Sequence, residues 1–138
     1  MLDENEFLSP YGIKALSRYH AEHPFVVHVA GQEYRVNYLP AESDTCMFGG
    51  NSNWRGPIWM HVNALLMRAL MRSICIMATT SSECPTGSGK FMNLFEVARE
   101  IASRLGRIFL RDSSGRRPVY GGTKKFQTNP QWNYILFY

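Results

Sequence analysis

The sequence has few cysteines and no long apolar run, and both absences restrict its class. Its 138 residues include three cysteines, Cys46, Cys75 and Cys84, which lack any CxxC or histidine-paired metal spacing. We therefore expect free thiols in a reducing compartment and place the protein in the cytoplasm. No apolar stretch approaches the roughly 20 residues of a membrane span. The acidic start MLDENEFLSP lacks the basic and apolar regions of a secretory signal, so no membrane association is predicted.

Clustered charge is also lacking. The net charge is +4, but lysine and arginine are spread along the chain, which predicts no nucleic-acid partner. His20 and His23 have a spacing that could share a metal ion, yet no third ligand is evident. We expect neither a metal nor a cofactor. With 45% hydrophobic residues, the chain has enough apolar material for the core of one domain.

The stretch PTGSGK at residues 85–90 ends like a phosphate-binding loop. Such a loop has the pattern G-x-x-x-x-G-K-[ST], in which the last hydroxyl binds magnesium. If Gly89 and Lys90 are the Gly-Lys pair, Cys84 stands in place of the first glycine and Phe91 in place of the hydroxyl. We therefore expect no nucleotide to bind, and interpret the stretch as a turn that ends one helix and starts the next.

Two amphipathic helices are predicted, over about residues 57–76 and 93–110, because apolar residues recur there at three- and four-residue spacing. Asn93 and Glu96 have the spacing of a capping box at the start of the second helix. Gly106 inside that helix costs about 1 kcal/mol relative to alanine. A shorter helix is expected in IKALSRYH, and a small β-hairpin or extended segment near residues 25–39. The apolar positions are Ile58, Val62, Leu65, Leu66, Ala69 and Leu70 in the first helix, and Leu94, Val97, Ala98, Ile101, Leu105, Ile108 and Phe109 in the second.

Two tryptophans flank a glycine-rich segment, and this is the most informative part of the sequence. A tryptophan in a polar, glycine-rich loop often meets a ligand, because its ring offers a wide apolar face and one N–H. Residues 49–63 read GGNSNWRGPIWMHVN and resemble the loop-and-helix motif of glycoside hydrolase family 63. FLSPYGIKALSRYH, ECPTGSGKFMNLFEVAREI and RPVYGGTKKFQ also resemble bacterial members. The resemblance extends over nearly the whole chain.

This resemblance implies a mainly α fold, namely a fragment of an (α/α)6 barrel. Residues 1–138 would be part of a catalytic domain that is truncated at both ends. The parent enzyme would be an inverting α-glycosidase, similar to glucosidases and mannosidases, that hydrolyses an oligosaccharide or α-glycoside. By the same resemblance, the substrate-binding residues are Trp54, Arg55, Trp59 and Asn51.

Inverting hydrolysis needs one carboxylic acid and one carboxylate, roughly 6.5 to 9.5 Å apart. The resemblance places the acid before residue 1 and the base after residue 138, so no catalytic residue is assigned here. Glu42 and Asp44 match neither position. The isolated chain is therefore expected to be inactive. The alternative is a non-catalytic carbohydrate-binding or interaction module that uses Trp54 and Trp59.

The chain departs from the family pattern at three places. His61 stands where the family usually has proline, and Cys46 stands where it usually has glycine. CIMATTS at residues 75–81 replaces a Tyr-Tyr-Gly-Asp-Asp-Phe turn. One coding of these seven residues, read in another frame, encodes that missing turn. This gives the hypothesis of a local frameshift, which the DNA sequence tests.

Overall fold

A computed structural model describes residues 1–39, 58–76 and 81–134 of the chain. These ranges contain two helices of fourteen residues, two shorter helices and three pairs of short strands. In chain order the elements are β1 (Leu8–Ser9), β2 (Gly12–Ile13), β3 (Phe25–Val29), β4 (Gln32–Val36), α1 (Met60–Ser73), β5 (Ser81–Glu83), β6 (Phe91–Asn93), α2 (Leu94–Arg107), α3 (Lys124–Thr128) and α4 (Pro130–Tyr134), with 3₁₀ turns at Arg18–Ala21 and Pro118–Tyr120.

The three strand pairs are antiparallel hairpins, β1 with β2, β3 with β4 and β5 with β6. The β3–β4 pair confirms the hairpin predicted near residues 25–39. Its register pairs Val29 with Gln32, which leaves Ala30 and Gly31 as a two-residue loop. Both loop residues have positive φ, 50° and 79°, as a type I′ turn requires.

Helix α2 is the central element of the core. Its start confirms the predicted capping box, because the Asn93 side chain accepts from the Glu96 N–H and the Glu96 carboxylate accepts from the Asn93 N–H, both at 2.9 Å. The predicted apolar face is also buried, at Leu94, Val97, Ala98, Ile101 and Leu105. The core cluster joins part of this face to β1, β2, β5–β6 and their neighbours, through Leu8, Ile13, Cys84 and Met92.

Helix α1 packs against α2 but buries little of itself. The predicted residues Leu66 and Leu70 pack on the core cluster, as does Ile58 just before the helix. Val62 and Leu65 of the same predicted stripe are 39% and 63% exposed. The apolar periodicity was therefore right about the helix and only partly right about which side faces the core.

The prediction of an (α/α)6 barrel fragment is wrong for this structure. Such a fragment would be a succession of paired helices, whereas the described residues contain one pair of long helices and three small antiparallel sheets. The physical reason lies in the connecting sequences. FLSPYGI and the glycine-rich turn at residues 85–90 are too rich in Pro, Gly and Ser for helix, and they form hairpins that pack beside α2.

Two local expectations are also corrected. The helix expected over IKALSRYH is a four-residue 3₁₀ turn at Arg18–Ala21, because Ile13 belongs to β2. PTGSGK does not connect two helices, since it joins β5 to β6. Within the described ranges, no helix has both the length and the apolar character that crossing a membrane would require.

Candidate functional site

Trp59 immediately precedes α1 and is half-buried. Its carbonyl oxygen accepts the N–H of Asn63 at 3.0 Å and the side-chain amide of Asn63 at 2.9 Å, which fixes the backbone at the start of the helix. The indole ring lies 4.7 Å from the ring of His61, tilted by 41°. Trp59 is thus held at a defined position at one end of α1.

Asn63 connects this end of α1 to the N-terminal hairpin. The residue is only 1% exposed. Its Oδ1 accepts the N–H of Ile13 at 2.8 Å, and its Nδ2 donates to the Ile13 carbonyl at 2.9 Å. With the bond to Trp59, all the hydrogen-bonding groups of this amide except one acceptor lone pair are used. Asn63 therefore places β2 next to Trp59 and offers no free donor to a ligand.

A second polar side chain fixes the other strand of the same hairpin. Arg104 on α2 is 5% exposed, and its guanidinium donates to the Ser9 carbonyl at 3.0 Å. It also pairs with Glu4 and Glu100, both at 2.8 Å. Gly12 lies between these two anchors with φ +118°, and a Cβ there would approach Leu105 Cδ2 to 2.7 Å.

The result is a pocket of about 180 Å³ between β2 and the start of α1. It is mostly apolar, and such a surface can accept the C–H face of a sugar ring against the indole of Trp59. Lys14 is the one charged residue among the described residues that line it. The lining residues are Ile13, Lys14, Ala15, Trp59, Val62 and Asn63.

Of the predicted substrate-binding residues, Trp59 alone lies in the described part of the chain. Trp54, Arg55 and Asn51 lie outside it, as do Glu42 and Asp44. The structure therefore shows the surroundings of Trp59 alone among these predicted residues.

Sequence reasoning missed the contribution of Ile13–Ala15 and the role of Asn63. The sequence contains a signal for Asn63, because it is a polar residue among the apolar positions of α1. The structure shows that this residue is buried. No local pattern marks Ile13, since its partner is 50 residues away.

The N–H groups of the glycine-rich turn bind a carboxylate of the chain itself, that of Glu83. The Gly89 N–H donates to the Glu83 carboxylate at 2.5 Å, and hydrogen bonds from the N–H groups of Gly87 and Gly89 lower the pKa of Glu83. A phosphate-binding loop would direct these amides at phosphate and would lead from a strand into a helix. Here they bind a side chain from the preceding strand β5.

A larger groove of about 370 Å³ runs along β6 and the first half of α2. Of its four charged residues, Lys90, Glu96 and Arg99 are exposed, and Glu100 is partly buried and pairs with Arg104. None of the predicted site residues contributes to it.

The two closely spaced histidines contact backbone carbonyls. His20 Nδ1 lies 2.9 Å from the His23 carbonyl, and His23 Nδ1 lies 3.3 Å from the Tyr19 carbonyl. The His23 ring also stacks on Tyr19, with centroids 4.2 Å apart. In the described ranges, no group of three His, Cys, Asp or Glu residues is arranged to hold a metal ion.

Of the described cysteines, Cys75 is exposed and Cys84 is buried, and both are free thiols. Burial raises the pKa of the Cys84 thiol, against a smaller opposing effect of Arg104. Cys84 therefore acts as a small apolar residue of the core.

Comparison with known proteins gives one informative similarity. No family profile matches the chain, and no solved structure matches it. The chain is 49% identical over 142 residues to the "Uncharacterized protein YMR196W" of Saccharomyces cerevisiae (strain ATCC 204508 / S288c), an alignment that covers the whole chain. The chain spans 13% of the length of that yeast relative.

Proposed function

We propose that this chain is a segment of a longer, inverting α-glycosidase of the glycoside hydrolase family 63 type, and that it supplies part of the sugar-binding surface. One observation carries the proposal. Trp59 belongs to GGNSNWRGPIWMHVN, whereas Ile13, Lys14 and Ala15 belong to FLSPYGIKALSRYH. These two stretches both resemble the family, are far apart in sequence, and line the same pocket.

The chemistry of the pocket suits a sugar. Trp59 provides a flat apolar face for the C–H groups of a pyranose ring. Arg55 and Asn51 precede it by four and eight residues in the same motif, and their side chains would donate hydrogen bonds to the sugar hydroxyls. Trp54 would provide the second aromatic surface. The substrate would be an α-glucoside or α-mannoside, and the enzyme would act in the cytoplasm.

The acid and base of the reaction would come from outside residues 1–138. Inversion requires both groups in one pocket, on opposite sides of the scissile bond. The great length of the yeast relative supports an arrangement in which this segment works as part of a larger polypeptide. The proposal concerns sugar recognition and hydrolysis, and it does not include a helical barrel.

The proposal is tested by titrating the 138-residue chain with methyl α-glucoside and methyl α-mannoside while recording tryptophan fluorescence. We expect a saturable change that is lost in Trp59→Ala. The matched control is Trp132→Phe, because Trp132 packs on Phe126 with centroids 4.7 Å apart, away from the pocket. This control should leave the sugar-dependent change intact.

Two outcomes would count against the proposal. A sugar response that persists in Trp59→Ala would place the sugar site elsewhere. The absence of a response to either sugar would show that this pocket does not bind these sugars. ATP is titrated in parallel. An ATP response that disappears in Lys90→Ala would instead assign the glycine-rich turn to a nucleotide.

A further inference from the structure

A second cavity lies beside the N-terminal segment, on the other side of Lys14. Its volume is about 220 Å³, and its charged and polar lining includes Glu4, Glu6, Lys14, Arg18 and Tyr38. Lys14 lines both this cavity and the pocket of Trp59.

Lys14 differs from the other lysines of the described ranges because it is only 8% exposed. Its ammonium donates to the Tyr38 hydroxyl at 2.9 Å and lies 4.2 Å from the centroid of the Tyr38 ring. Both contacts are with a neutral group. Within the described ranges, no carboxylate forms an ion pair with Lys14. A buried ammonium is costly unless an anion compensates it.

Two carboxylates also line the cavity. Glu4 pairs with Arg104 at 2.8 Å, and the Glu6 carboxylate accepts the hydroxyl of Ser17, which leaves its negative charge in place. The exposed guanidinium of Arg18 lies on the same cavity and forms no ion pair with a described residue. The cavity therefore has two cations that form no ion pair with a carboxylate among the described residues.

We propose that this cavity binds an oxyanion, the carboxylate or phosphate group of a small molecule, with Lys14 and Arg18 as its cationic donors. An ammonium provides a point charge, and a guanidinium provides a planar pair of N–H groups that fits two oxygens of one anion. The volume suits a single anionic group with a few attached atoms. The proposal does not depend on the sugar pocket, although the shared Lys14 makes the two cavities adjacent.

The test is a titration of the 138-residue chain with inorganic phosphate and, separately, with acetate, followed by ¹H–¹⁵N NMR. Ionic strength is held constant with sodium chloride, because surface charges respond to salt alone. We expect saturable shifts near residues 14 and 18. Lys14→Met and Arg18→Gln should each weaken binding by roughly tenfold or more.

Lys90→Met is the matched control, because Lys90 lines the exposed groove beside α2. It should leave the affinity unchanged. Tighter binding of phosphate than of acetate assigns the site to phosphates, and the reverse assigns it to carboxylates.

The proposal is overturned if the folded chain shows no saturable response to either anion. It is equally overturned if Lys14→Met and Arg18→Gln bind as tightly as the unchanged chain. Should Lys14→Met fail to fold, Arg18→Gln decides alone, because the Arg18 side chain is exposed and its loss does not disturb the core.

Discussion

Asn63 on α1 binds both backbone groups of Ile13 on β2, accepting from its N–H at 2.8 Å and donating to its carbonyl at 2.9 Å. An asparagine amide reproduces here the hydrogen bonds that another strand would make. The contact joins residues 50 positions apart, and it positions the N-terminal hairpin against Trp59.

We predict that Asn63→Leu destabilises the protein by about 3 kcal/mol, because the buried N–H and carbonyl of Ile13 would lose their partner. Urea unfolding followed by circular dichroism measures the change. Asn5→Ala is the control, since Asn5 is exposed, and it should change stability by less than about 0.5 kcal/mol. Equal unfolding midpoints for the two variants would contradict this role of Asn63.

Arg104 is predicted to be a second anchor of the N-terminal hairpin. Arg104→Met should cost about 2 to 3 kcal/mol, because it leaves the Ser9 carbonyl and the partly buried Glu100 without their donor. Arg107→Met, three residues later on the exposed side of α2, should have little effect. Chemical denaturation of both variants provides the comparison. Similar losses of stability in the two variants would show that the buried guanidinium of Arg104 does not anchor the hairpin.

The two glycines beside the core should respond to alanine in opposite directions. Gly106→Ala is expected to stabilise α2 by about 0.5 to 1 kcal/mol, since a Cβ there has no neighbour within 4 Å. Gly12→Ala is expected to destabilise, because its φ is +118° and the added Cβ would clash with Leu105 and crowd Asn63 Oδ1 at 3.2 Å. Thermal unfolding of the two variants measures the direction of both stability changes. A stabilising effect of Gly12→Ala would contradict the close packing of Gly12 against Leu105.

The lowered pKa of Glu83 predicts that part of the protein's stability is lost in acid. Hydrogen bonds from the Gly87 and Gly89 N–H groups hold its pKa below the ordinary 4.5. A carboxylate with a lowered folded pKa contributes stability that is fully present above the unfolded pKa and is lost as the pH falls through the folded pKa.

Stability should therefore fall less steeply in Glu83→Gln than in the unchanged chain from about pH 5 downward. Some slope will remain, because hydrogen bonds from Ser114 and the Arg116 N–H also lower the pKa of Asp112. Urea midpoints measured from pH 6 to pH 3 give both slopes. Parallel curves would show that the Glu83 carboxylate contributes nothing in the turn.

Sequence patterns predicted the local elements better than their arrangement. The capping box of Asn93 and Glu96, the buried face of α2 and the β3–β4 hairpin follow from short-range periodicity and turn chemistry, and the structure confirms them. The exposure of Val62 and Leu65 could not be predicted in the same way. An apolar stripe indicates that a helix has a side to bury, whereas the neighbouring elements decide which side is covered.

The candidate site depends on both kinds of information. The role of Trp59 in ligand binding is a prediction from the resemblance of its motif and stays a prediction. Its partners on β2 depend on long-range contacts, namely Asn63 with Ile13 and Arg104 with Ser9. No local pattern encodes a contact between residues 50 or 95 positions apart.

The central proposal is that this segment belongs to an inverting α-glycosidase, and the anomeric form of the first product tests this proposal most directly. The measurement uses the longer polypeptide that this proposal requires, with His61→Pro and with the family turn restored at residues 75–81. Its hydrolysis of α-linked glucose and mannose disaccharides is followed by ¹H NMR. We predict that the β-anomer appears first and that Trp59→Ala lowers kcat/KM at least tenfold, whereas Trp132→Phe does not. Initial release of the α-anomer, or no hydrolysis of either substrate by the folded and restored polypeptide, would contradict the account.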